Sequence, residues 1–196
     1  MAFKLTIPEF NTYVEYPGYT FPTTGVWTFN STISMDASAQ VNSGTYEVIQ
    51  LYFTGDPSFA VRAFPSGAVS FAVSSTSGST FGGAPAGAFV ANGQPVNIRV
   101  TVDLDSGFME LFVDETSVYS VTYAFISELR GAVAPAVRNR MLFNDESGVE
   151  LYTFNLNGER NYDADLEGGT GLLLRDTIGS NDGNLVGYGA FADSQW

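Results

Sequence analysis

The sequence predicts an all-β protein, a two-sheet antiparallel β-sandwich, and three observations carry that expectation. The stretch Pro95–Tyr123, PVNIRVTVDLDSGFMELFVDETSVYSVTY, alternates apolar and polar residues with a period of two through two sharp turns. The 21 glycines, together with abundant Ser and Thr, suit many short strands joined tightly. Segments rich in Ala, Leu, Glu and Lys at helical spacing are missing. A sheet with one apolar face needs a second layer over it, so the rest of the chain is expected to supply a partner sheet.

Phe3, Leu5 and Ile7 alternate with Lys4 and Thr6, predicting an outer strand that ends at Pro8. From Glu9 to Thr24, Tyr13, Tyr16, Tyr19 and Phe21 lie among Pro17, Gly18 and Pro22 and read as an aromatic loop. Trp27, Phe29, Ile33 and Met35 share one parity of a long strand over Gly25–Met35, interrupted by Ser31. Tyr46–Phe53 is apolar on both parities, which suits a central strand. Gly55-Asp56-Pro57 and Pro65-Ser66-Gly67 punctuate two more, Phe59–Phe64 and Ala68–Ser74.

Ser75–Gly93 is rich in small residues without alternation and reads as a long surface loop inside one domain of 196 residues. In the meander that follows, Val96 to Leu104 and Met109 to Val113 form the buried parity of two strands, and Val118–Tyr123 forms a third. Ala124–Arg130 predicts one helical turn before Gly131. Val137–Phe143 and Val149–Leu156, separated by Asn144-Asp145-Glu146-Ser147-Gly148, read as a hairpin. From Asn157 the chain turns to Gly, Asn and Asp, with apolar islands at Leu172–Leu174 and Leu185-Val186, and reads as an irregular segment packed on the sandwich.

Composition excludes several functions. Aromatic residues at 14% and charged residues at 15% exclude a disordered chain. A formal net charge of −13, with Lys4 the one lysine, opposes attraction to nucleic acid or anionic lipid. The chain has no Cys and no His, which removes disulfides, thiolate and imidazole metal sites, and Cys-His or Ser-His-Asp catalysis. MAFKLTIPEF lacks the continuous apolar core of an export signal, and no stretch reaches membrane-spanning length. The expectation is a soluble chain made without a cleaved leader and without membrane insertion.

Roughly ten to thirteen short strands, an early Trp-bearing strand and the segment NIRVTVDLDSGFMELFVDE together resemble the concanavalin A-like lectin and laminin-G jelly-roll superfamily over Gly25 to Leu156. The resemblance rests on Val102-Asp103, Gly107 and Phe112-Val113-Asp114, with Glu115 standing where that superfamily usually has Gly. The tail LLLRDTIGSNDGNLVGYGAFADSQW is similar to Asp-x-x-Gly-Asn-Asp-Gly-x-Leu segments of laminin-G-like modules. Asp193-Ser194-Gln195-Trp196 resembles the ends of tailed-bacteriophage virion proteins. The superfamily holds lectins, adhesion modules, glycan hydrolases and lyases, and structural modules, so fold alone does not choose among them.

Asp163, Asp165 and Glu167 alternate as do the carboxylates of laminarinase-type hydrolases, which the segment resembles. Their flanks, Asn161-Tyr162 and Gly168-Gly169, are not the apolar strand that would raise an acid's pKa, so a solvated or ion-binding acidic loop is expected and no catalytic residue. Asp176, Asn181 and Asp182, or Asp103 and Asp105 at a hairpin tip, offer oxygen ligands of the kind calcium takes. Turn stabilisation is the favoured role for both groups, and no metal or cofactor is expected. Tyr13, Tyr16 and Tyr19 are the candidate glycan-stacking residues, beside the alternative that they cover a sandwich edge, and Trp27 is assigned to the core. The resulting expectation is a non-enzymatic virion structural protein: a capsid decoration, head fibre or tail component that is homo-oligomeric, contacts other virion proteins and adheres to host or environmental glycans. The alternatives are a free-standing carbohydrate-binding lectin module and, third, a polysaccharide hydrolase or lyase.

Overall fold

The computed structural model describes residues 3–4, 13–35, 46–52, 57–141, 149–163, 173–174, 177–179 and 183–186. Their strands, in chain order, are β1 (Phe3–Lys4), β2 (Tyr13–Thr20), β3 (Val26–Met35), β4 (Tyr46–Tyr52), β5 (Ser58–Ala63), β6 (Val69–Ser75), β7 (Gly78–Ala84), β8 (Pro95–Asp103), β9 (Phe108–Val113), β10 (Thr116–Thr122), β11 (Val133–Met141), β12 (Val149–Leu156), β13 (Arg160–Asp163), β14 (Leu173–Leu174) and β15 (Gly183–Val186). They form the expected antiparallel sandwich. Sheet A runs β1-β12-β3-β8-β9-β10, with β13 also on β12, and sheet B runs β14-β15-β2-β11-β4-β5-β6-β7.

The meander β8-β9-β10 follows its pattern. Val96, Ile98, Val100, Val102, Leu104, Met109, Leu111 and Val113 all face the core, and the intervening polar residues face outward. Asp114 and Glu115 make the tight β9–β10 turn with φ of 45° and 64°. Glu115 thus occupies a left-handed position that glycine takes without strain, and its carboxylate meets Arg99 at 2.7 Å. The expected helical turn is a 3₁₀ helix, Ala124–Leu129, which buries Ile126 and Leu129.

Among the described residues, aromatic contacts join the sheets, the largest groups centred on Trp27 and Tyr16. Trp27 of β3 packs against Phe21 at 4.9 Å and edge-on against Phe59 of β5 at 5.5 Å, and its Nε1–H donates to the Tyr19 hydroxyl at 3.0 Å. Tyr16 of β2 meets Phe154 of β12 at 5.0 Å and Tyr162 of β13 at 4.3 Å. Each buried aromatic side chain contributes on the order of 1.5–3 kcal/mol of apolar transfer, so these groups clamp one sheet onto the other. At one side of the sandwich the clamp is closed by rings lying over glycines. A Cβ on Gly82 would fall 2.7 Å from the Tyr119 hydroxyl, and one on Gly78 would fall 3.0 Å from the Phe125 ring.

Three expectations are corrected. Residues 13–20, read as part of an aromatic loop, are β2, paired on both sides with β11 and β15. Val14 and Tyr16 point inward, but the next inward residue is Tyr19; the parity slips at Pro17-Gly18, and that slip hid the strand. A Cβ on Gly18 would sit 2.7 Å from the Ala134 carbonyl oxygen, so the slip needs glycine. Residues 78–84, read as surface loop, are β7 at the edge of sheet B. Finally, β11 and β12 are not a hairpin: β11 pairs with β2 and β4 in sheet B, whereas β12 pairs with β3 in sheet A. The apolar islands near the C-terminus supply β14 and β15 to sheet B.

Candidate functional site

Two outer faces are available, and they differ in chemistry. On β5, Phe59, Val61 and Ala63 face the core, so Ser58, Ala60 and Arg62 face out; on β6, Val69, Phe71 and Val73 face in, leaving Ser70, Ala72 and Ser74 outside. Register then sets rows across sheet B. One row joins Glu15, Arg138, Gln50, Ala60, Ala72 and Phe81. The next joins Tyr13, Arg140, Glu47, Arg62, Ser70 and Gly83.

The floor of this face is made of small side chains and is recessed. Ala60 is 6% and Ser70 5% exposed although neither belongs to the shared core, while Phe81, in the same row as Ala60, stands 64% exposed. Ser58 and Ser74 share a hydroxyl hydrogen bond of 2.7 Å, and Ser70 Oγ is enclosed with no hydrogen-bond partner among the described residues. Arg138 is held by Glu15, its Nε donating at 2.6 Å. Strands β5, β6 and β7 contain no carboxylate; Arg62 is their one charge.

The face therefore offers an open aromatic ring, the Ser58–Ser74 hydroxyl pair and a guanidinium beside a floor of small side chains. A saturated sugar ring needs those elements: C–H groups that stack on an aromatic face and hydroxyls that meet planar donors and acceptors.

Two of the three tyrosines that are candidates for glycan stacking point inward. Tyr16 is 1% and Tyr19 2% exposed, both in the core, where their faces are taken by Phe154, Tyr162, Phe21 and Trp27. They pack the sandwich instead of presenting a platform. Tyr13 stands opposite Arg140 in register at the far end of the Arg62 row; its side chain lies outside the described residues. Phe81 and Arg62 escaped the sequence reading. The one available signal was a lone aromatic residue in the small-residue run Gly78–Ala84.

The other candidates have different employment. Asp103 accepts from the Ser106 hydroxyl at 2.6 Å and from the Asp105 N–H at 2.9 Å, which holds its carboxyl below the ordinary carboxylate range. Asp105 accepts from the Gly25 N–H at 2.8 Å. Both build the β8–β9 turn, which Arg130 ties down by donating to the Leu104 and Asp105 carbonyls at 2.6 and 2.8 Å. Among the described residues no cluster of three or more acidic side chains could hold a metal ion. Asp163 ends β13, and its side chain, like Asp165, Glu167, Asp176, Asn181 and Asp182, lies outside the described residues.

No family model matches the sequence, and no curated protein sequence matches it. Shape does. Domains LG4-5 of the mouse laminin α1 chain superpose with a TM-score of 0.58 at 13% identity, covering 87% of this chain and 45% of theirs. Sheep galectin-11, solved in complex with glycerol, gives 0.50 at 13% identity over 71% of this chain and 95% of its own. The CBM40 of the Ruminococcus gnavus IT-sialidase, bound to α2,3-sialyllactose, gives 0.50 at 13% identity over 74% and 91%. The fold is a concanavalin A-like jelly roll. At these identities the likeness extends to the fold alone, and no helix among the described residues is long and apolar enough to cross a membrane.

Proposed function

We propose that the protein is a glycan-binding module that holds its ligand on the outer face of β5, β6 and β7 and does not cleave it. The observation that carries this reading is the pairing of a 64% exposed Phe81 with a recessed floor of Ala60, Ser70 and Ala72 on strands free of carboxylates. Stacking supplies affinity, and Arg62 and the Ser58–Ser74 hydroxyl pair supply direction. Glycoside hydrolysis needs two carboxyl groups astride the bond, and these strands hold none. The lectin-type shape of the neighbours above supports the same class.

Binding to an array of immobilised oligosaccharides tests it. Wild type retains a subset of sugars, Phe81→Ala and Arg62→Ala lose them, and Arg99→Ala on sheet A keeps them. Failure to retain any sugar, or retention untouched by the first two changes, ends the proposal.

A second reading sets this activity in a virion, as a capsid or tail component. It is favoured by the resemblance of Asp193–Trp196 to virion proteins of tailed phages, residues that lie outside those described. Detection of the protein in purified particles tests that setting separately.

A further inference from the structure

We propose that two copies of this chain pair edge to edge through β7, continuing sheet B across a twofold axis. β7 is the last strand of sheet B, and among the described residues β6 is its one hydrogen-bonded neighbour. Its other side therefore carries a row of backbone donors and acceptors. Edge strands are normally guarded by charge, proline or a bulge. β7 has none of these: Gly78–Ala84 contains no charged residue and no proline, and its register with β6 runs unbroken from Val69↔Ala84 to Ser75↔Gly78. The edge of sheet A beside it is guarded, because β10 breaks register between Ser117 and Tyr119. The rings of Tyr119 and Phe125 lie against Gly82 and Gly78 from the core side and hold the open edge straight.

Charge selects the occupant. At a net charge of −13, two copies repel wherever their carboxylates face one another. Strands β6, β7 and β10 hold no charged residue at all, and Glu128, which accepts from Thr76 Oγ1 at 3.2 Å, lies at the β6–β7 turn and not along the strand. Among the described strands, this side is where a second copy approaches without meeting its own charge. An antiparallel edge is also self-complementary, as a twofold interface requires. Pairing near Thr80 and Phe81 sets the exposed Phe81 ring beside its counterpart on one continuous outer face. If that face binds glycans as proposed above, the dimer aligns two sites for a multivalent ligand. The pairing itself does not depend on that reading.

The absence of cysteine makes the test direct. Light scattering on the wild-type chain is expected to give twice the 21.0 kDa chain mass. Among Ser79→Cys, Thr80→Cys and Phe81→Cys, the residue nearest the axis is expected to form an interchain disulfide under mild oxidation, and Thr101→Cys on sheet A to form none. Ser79→Lys, which restores an edge charge, is expected to return the mass to one chain, with the circular-dichroism spectrum of a folded β protein retained and the melting temperature no longer rising with protein concentration. A single-chain mass at about 100 µM overturns the proposal. So does a dimer that survives Ser79→Lys with no β7 cross-link, which would place the contact on another surface. These readouts need no sugar, so they stand or fall apart from glycan binding.

Discussion

The outer faces of sheets A and B share one strand geometry and use their side chains in opposite ways. On sheet A, Asn97 Nδ2 donates to Asn30 Oδ1 at 2.5 Å and to Thr32 Oγ1 at 3.2 Å, and Ser117 donates to Glu110 at 2.5 Å. The Arg99 guanidinium lies 3.8 Å from the centre of the Phe112 ring while bonding Glu115 at 2.7 Å. The Phe112 ring there is covered by Arg99, and the Asn97 amide and Ser117 hydroxyl donate to neighbours on the same face. On sheet B around β7, the aromatic ring is bare and the floor is small. A face whose groups are already paired gains little from a ligand, whereas a bare ring over a recess gains the whole contact. The difference is that sheet A spends its outer side chains on one another, whereas sheet B leaves an aromatic ring bare.

The largest effect that would break this comparison is at Gly82. Gly82→Val forces a Cβ into the Tyr119 ring, and overpacking of this kind costs about 1–3 kcal/mol. The expected result is a lowered melting temperature together with loss of sugar retention, since β7 can no longer lie flat. A variant with native stability and intact binding would separate β7 from the site.

Next in size, Phe81→Ala is expected to weaken sugar binding by about 2 kcal/mol, roughly thirtyfold, with stability within about 0.5 kcal/mol of wild type. Titration calorimetry beside a thermal melt measures both. A loss of stability matching the loss of binding would make Phe81 structural and erase the contrast between the faces.

Those two positions mark where sequence reading stopped. The meander was legible because Val96 to Val113 carries its own apolar parity, and one buried side is enough to reveal period two. β7 was illegible because its apolar partners, Tyr119 and Phe125, are contributed by distant elements; the strand answers them with glycine, which reads as loop. β2 was illegible for a related reason, the change of parity at Pro17-Gly18, which left aromatic residues without apparent phase. Local pattern left the tyrosines open between stacking platform and edge cover, whereas Tyr16 and Tyr19 supply contacts that join the sheets. Strand content could be read locally. Which aromatic residue is bare depends on inter-sheet packing, which no local pattern encodes.

On sheet A, Arg99→Ala removes a cation–π contact and an ion pair whose Glu115 partner is 71% exposed, so the expected cost is at most about 1 kcal/mol. Sugar binding is expected to be unchanged. If uncovering Phe112 instead creates a second sugar-retaining surface, the faces differ only by the arginine lid, and that result would sharpen the comparison to a single residue.

The smallest effect acts on both faces at once, through the hydrogen bond between Trp27 of sheet A and Tyr19 of sheet B. Burial, with the Glu159 carboxylate beside it, raises the Tyr19 phenol well above the ordinary tyrosine value of 10.0. The folded protein therefore keeps the phenol protonated at pH values where the unfolded chain has begun to ionise. Stability from this group is complete below about pH 10 and declines as pH rises further, by a few tenths to about 1 kcal/mol at pH 11. Tyr19→Phe is expected to melt lower at neutral pH, having lost the Trp27 acceptor, and to show a shallower decline between pH 9 and pH 11. Because Tyr19 serves both sheets, the alkaline decline should lower sugar retention only in step with unfolding. Retention that falls before the melt would show that the sheet B face can loosen on its own.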